Sequence, residues 1–103
     1  MITYNKLVRD KIPGIIRAQG KQCQVSILED DQYLASLNLK LGEELREYLQ
    51  HGEVEELADL VEVVYAILEH QGMSVQEFEE VRLTKLGERG GFAKRFYLET
   101  VSG

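Results

Sequence analysis

Residues 30–71 read DDQYLASLNLKLGEELREYLQHGEVEELADLVEVVYAILEHQ, two amphipathic stretches meeting at His51-Gly52. In the first, Leu34, Leu37, Leu41 and Tyr48 recur at the spacing of one helical face. The acid-rich start Glu29-Asp30-Asp31 suits the positive end of a helix dipole, with Asp30 as cap. The spacing therefore predicts a long helix from Asp30 to about Gln50. His51-Gly52 is the turn, and a second long helix is expected from about Glu53 to Gln71, stopped by Gly72. Beyond Asp59 this second stretch is apolar nearly all round, from Leu60 to Leu68, which marks it as central to the fold. A turn this short makes the two helices antiparallel neighbours.

That hairpin places acids where apolar residues would be expected. Glu44 falls on the apolar stripe, three residues after Leu41 and four before Tyr48. Glu47 lies three residues on, so both carboxylates project from one surface. The second helix carries an equivalent pair, Glu56 and Asp59. In an antiparallel hairpin, residues equidistant from the turn share a level, which sets Glu47 against Glu56 and Glu44 against Asp59. Either pair alone is an ordinary solvated helix face. Four carboxylates at shared levels, one of them on the apolar stripe, favour a metal site, because such crowding is costly without cations. All-oxygen donors suit Mg²⁺ or Mn²⁺. Glu43 and Glu62 flank the cluster as further ligands or a general base. A di-iron bundle requires Glu-x-x-His on its helices. Here His51 belongs to the turn and His70 to a helix end, so that reading fails.

Working outward, Asp10 is expected to cap a short helix through Gln19, with Pro13 in its first turn and Gly20 as the stop. Gln22–Leu28 alternates polar and apolar residues and reads as a short strand, which could pair with a second at Phe92–Leu98. Ser74 and Glu77 form a capping box for a third helix after the hairpin pair, Val75 to about Leu86, broken by Gly87 and Gly90-Gly91. The fold class is all-α, a helical bundle on an antiparallel hairpin with room for a minor two-stranded β element. One domain spans residues 1–103.

Cations gather at both ends: Lys6, Arg9 and Lys11, beside the polar Asn5, at one, and Lys85, Arg89, Lys94 and Arg95 around the glycine break at the other. Such residues can neutralise phosphate, with glycines allowing close backbone approach. The formal net charge of −6 argues against nucleic-acid binding. It still admits a phosphorylated small molecule bridged by divalent cations. A single cysteine, Cys23, excludes an internal disulfide. No apolar run is long enough for a membrane span and no secretory signal is evident, so a cytoplasmic location is expected. There is no P-loop and no nucleophilic triad.

Lys40-Leu-Gly-Glu-Glu-Leu-Arg-Glu47 followed by Glu55-Glu-Leu-Ala-Asp59 resembles the EExxE…ExxD signature of the MazG-like all-α nucleoside triphosphate pyrophosphohydrolases. Tyr4-Asn-Lys-Leu-Val-Arg-Asp-Lys-Ile-Pro13 and Arg89-Gly-Gly-Phe92 resemble a small single-domain house-cleaning branch of that superfamily. The resemblance implies hydrolysis of a nucleoside triphosphate to the monophosphate and diphosphate. It further implies Mg²⁺ held by Glu44, Glu47, Glu56 and Asp59, with Glu43 orienting the attacking water. A homodimer or homotetramer is implied as well, with sites completed near subunit interfaces. The eight residues between Glu47 and Glu56 are fewer than in many relatives, which leaves less wall for a nucleobase. Two alternatives stay open: a phosphoribosyl-ATP pyrophosphohydrolase, whose motif also begins Lys-x-x-Glu-Glu, and a non-catalytic helical oligomeric regulator.

Overall fold

Gly52 turns the chain back on itself. It takes the left-handed conformation (φ 68°, ψ 18°), and its N–H closes the preceding helix on the Tyr48 carbonyl at 2.7 Å. The computed structural model describes residues 1–103, and the chain is all-α: α1 (Ile12–Ala18), α2 (Asp30–His51), α3 (Val54–His70) and α4 (Val75–Arg89), with no strand. Helices α2 and α3 pack together as the expected hairpin, and α4 leans on α3. The small core lies between α2 and α3, where Leu37, Val63 and Leu68 are the buried apolar residues and Leu37 is only 2% exposed.

Several boundaries differ from expectation for local reasons. Glu29, not Asp30, occupies the cap position of α2 with extended backbone, and its carbonyl accepts from the Tyr33 N–H at 2.7 Å. Asp30 and Asp31 are instead the first helical residues, where their charge meets the dipole and Asp31 Oδ1 accepts the Gln32 N–H at 2.9 Å. At α1 the cap position falls to Lys11 rather than Asp10, and Pro13 sits in the first turn. The Ser74–Glu77 capping box forms with both hydrogen bonds at 3.1 Å. Helix α4 runs through Gly87 to Arg89, since one interior glycine costs only about 1 kcal/mol against alanine. It stops at Gly90, whose φ of 79° favours glycine.

The two expected strands do not form. Alternation describes a strand with one buried face, and neither segment has a face to bury: Ile27 is 98% exposed and Phe96 87%. Within the second, the Arg95 N–H turns back to the Phe92 carbonyl at 3.0 Å, and Arg95 takes a positive φ of 59°. That turn interrupts any ladder.

The chain is elongated, with extents of 62 × 32 × 24 Å and a radius of gyration of 18.3 Å. A compact domain of this length has a radius near ~13 Å. Its accessible surface is 9518 Å², against about 5,900 Å² for a compact monomer of this mass. Much apolar surface is left outside the hairpin. No helix is long and apolar enough to cross a membrane.

Candidate metal centre

The hairpin acids divide into an inner group paired with cations and an outer pair joined by a histidine. Glu44 takes the place on the α2 stripe that its spacing predicts and is buried, its side chain 12% exposed. Lys40, one turn earlier on the same helix, places Nζ 3.5 Å from Glu44 and 3.4 Å from Glu43. Lys6, from the N-terminal arm, reaches the other Glu43 oxygen at 3.3 Å. Burial alone would raise the Glu43 carboxyl, but Lys40 and Lys6 together outweigh it and hold it below the usual carboxylate range. Across the hairpin, Arg9 donates from Nη2 to Asp59 at 2.9 Å, a half-exposed pair.

Towards the turn, Glu47 and Glu56 face each other from α2 and α3 as the register predicts. His51 Nδ1 lies 3.6 Å from Glu47 and 3.3 Å from Glu56. One ligand atom from each of the three falls within 4.8 Å of the others. The Glu56 side chain is 16% exposed, and its Oε2 is buried with no hydrogen-bond partner. An orphaned buried carboxylate oxygen is costly and suits a cation. The expected level pairing thus holds for Glu47 and Glu56, whereas Glu44 and Asp59 each engage a different cation.

His51 does not belong to the turn, where its place beside Gly52 puts it in the sequence, outside the site. It is instead the last residue of α2, so it stands four residues after Glu47 on the same helical face. That spacing was the available signal, masked by ending the helix one residue early.

The remaining candidates are placed unevenly. Lys6 and Arg9 meet the carboxylates, and Asn5 beside them bends the arm through a positive φ of 47°. Glu62 is exposed on α3. Lys85 and Arg89 lie exposed on α4, and Arg95 lies in the C-terminal arm. Lys94 sits 5.9 Å over the Phe96 ring rather than near an acid. Cys23 is a half-buried free thiol, 3.9 Å from the Pro13 carbonyl and outside any strand. The concavity lined by Arg17, Cys23, Gln24, Val25 and Ser26 contains none of the carboxylates.

The chain matches no model of a known protein family, and no solved structure matches it. It is 50% identical over 42 residues to an uncharacterised protein of Mycolicibacterium smegmatis, a match covering 41% of this chain and 43% of that protein.

Proposed function

We propose that this chain is a Mg²⁺-dependent nucleoside triphosphate pyrophosphohydrolase of the MazG-like kind, releasing a nucleoside monophosphate and diphosphate. The observation that carries the reading is the opposition of Glu47 and Glu56 across the hairpin, with one Glu56 oxygen buried and unpartnered. It joins an EExxE…ExxD pattern in which every acid is present. The donor set fits the ion: Glu44, Glu47, Glu56 and Asp59 supply hard oxygens suited to Mg²⁺, with Mn²⁺ as a substitute. When bound, the ion supplies charge neutralisation for phosphate oxygens and acidity for water.

The chain's own residues do the rest. Lys6 and Arg9 pair with Glu43 and Asp59 in the free chain, which sets both cations beside the acid cluster, where they would contact substrate phosphates. Glu43, at the flank of the acid cluster, orients the attacking water. Lys85, Arg89 and Arg95 add phosphate contacts. In the single chain they pair with none of the carboxylates, which favours delivery from a second copy in a homodimer or homotetramer. The large uncovered surface supports such an assembly. We place the protein in the cytoplasm, where a lone thiol such as Cys23 stays reduced.

The test is pyrophosphate release from a panel of ordinary and modified nucleoside triphosphates with Mg²⁺, with phosphoribosyl-ATP in parallel. Monophosphate and diphosphate in equal amounts, abolished by EDTA, support the reading. Turnover that survives EDTA, or confined to phosphoribosyl-ATP, overturns it.

A further inference from the structure

His51 adds to the hairpin a donor type that Mg²⁺ chemistry does not need. We propose that Glu47, His51 and Glu56 form a three-ligand site for a borderline divalent transition-metal ion of the Zn²⁺ or Co²⁺ class. The site shares two ligands with the acid set but does not require that set to bind Mg²⁺ or to hydrolyse anything.

The distances carry the argument. Metal–ligand bonds of 2.0–2.1 Å to imidazole and carboxylate make the ligand–ligand edges of a tetrahedral site about 3.3–3.4 Å. His51 Nδ1 lies 3.3 Å from Glu56 Oε1 and 3.6 Å from Glu47 Oε2. A single Nδ1–H can serve one carboxylate well, not two, so a nitrogen lying between both is better used as a donor to a shared ion. The remaining Glu56 oxygen, buried and without a partner, supplies a further acceptor inside the same group. Three protein ligands leave a fourth position open, and His51, 55% exposed, leaves an entry path from solvent. Imidazole with carboxylate favours Zn²⁺, Co²⁺ or Ni²⁺ over Mg²⁺, which prefers oxygen ligands and keeps its waters. Local structure makes the site: α2 runs far enough to put His51 one turn after Glu47, and Gly52 reverses the chain so that Glu56 falls on the first turn of α3.

The experiment is Co²⁺ titration of the full chain, read by visible d–d absorption and by competition with Zn²⁺ and Mg²⁺. The expected result is saturable binding displaced by Zn²⁺ far more readily than by Mg²⁺. Affinity should fall at least tenfold in both His51→Gln and Glu56→Gln, with the helical circular dichroism unchanged. His70→Gln, altering a histidine that stacks edge-on against Tyr33, should bind Co²⁺ like the wild type. Wild-type affinity in His51→Gln, or no absorption in the wild-type chain, overturns the site. Mg²⁺-dependent pyrophosphate release is measured separately on the wild type. If it is missing while Co²⁺ binding still depends on His51, the metal site stands and the pyrophosphohydrolase reading falls.

Discussion

The α2–α3 hairpin and the two arms that flank it use the same residue types to opposite effect. All four buried residues, Leu37, Glu44, Val63 and Leu68, belong to the hairpin. There an apolar side chain finds a facing helix, and an acid such as Glu44 is fixed by packing and by Lys40. In residues 1–29 and 90–103 nothing is buried, although Ile2, Ile27, Phe92, Phe96 and Tyr97 are as apolar as the core. Those segments supply Lys6 and Arg9 to the hairpin acids and leave their own apolar groups uncovered. The acids are thus set by helix packing, whereas two of the cations that meet them, Lys6 and Arg9, come from a segment outside the core, and Lys40 alone comes from the hairpin itself.

The sharpest way to break this contrast is to remove charge from the hairpin acids. Glu47→Gln and Asp59→Asn should each lower turnover by at least about 100-fold, since even an outer partner of a metal ligand typically costs 10–100-fold. Melting temperatures should stay near wild type, because relieving crowded negative charge does not cost packing. Near-normal turnover in both would return these acids to ordinary solvated helix faces.

A second comparison sets core against arm. Leu37→Ala should cost about 3 kcal/mol in chemical denaturation, as truncation of a buried leucine does. Phe92→Ala removes a side chain that is 98% exposed in the single chain, so within one chain it should cost less than about 0.5 kcal/mol. A larger, concentration-dependent cost would show that a second copy covers the arm, which sharpens the contrast rather than breaking it.

A third tests the C-terminal cations. Arg89→Ala should lower kcat/KM by about tenfold, or about 1.4 kcal/mol, with an unchanged melting temperature. Unchanged kinetics in Arg89→Ala and Arg95→Ala would leave those side chains as surface charge.

A fourth concerns the N-terminal arm. Glu43 has its folded carboxyl held below its ordinary value of 4.5 by Lys40 and Lys6, against the opposing effect of burial. A depressed pKa contributes stability that is complete above the ordinary value and is lost as the pH falls through the folded one. Lys6→Met should therefore destabilise by less than about 1 kcal/mol at neutral pH. The loss should vanish in melts well below pH 4.5. A cost that persists in acid would mean Lys6 acts through packing, for instance against the Tyr4 ring 5.7 Å away.

The hairpin, its turn and the α4 capping box were legible in the sequence because local rules decide them: helical spacing of Leu34, Leu37 and Leu41, a glycine able to take positive φ, and Ser74 three residues before Glu77. The strands were misread because alternation at Gln22–Leu28 and Phe92–Leu98 signals a strand only where a partner and a buried face exist. His51 was misplaced by ending α2 at Gln50, one residue too early to see its relation to Glu47. The pairing of Lys40 with Glu43 and Glu44 follows from i,i+3 and i,i+4 spacing on α2, but the two cations of the N-terminal arm lay beyond local reasoning. Lys6 is 37 residues from Glu43 and Arg9 is 50 from Asp59, separations that only the folded arm closes.

The central claim is that the hairpin carboxylates hold a divalent cation, and Mn²⁺ binding followed by electron paramagnetic resonance tests it without assuming a substrate. The account predicts saturable Mn²⁺ binding to the wild type, competed by Mg²⁺ and weakened at least tenfold in Glu47→Gln and in Asp59→Asn. It also predicts a melting temperature that rises with millimolar Mg²⁺, as ligand binding to the folded state alone requires. No Mn²⁺ binding by the wild type, or wild-type affinity in both variants, is the opposite outcome.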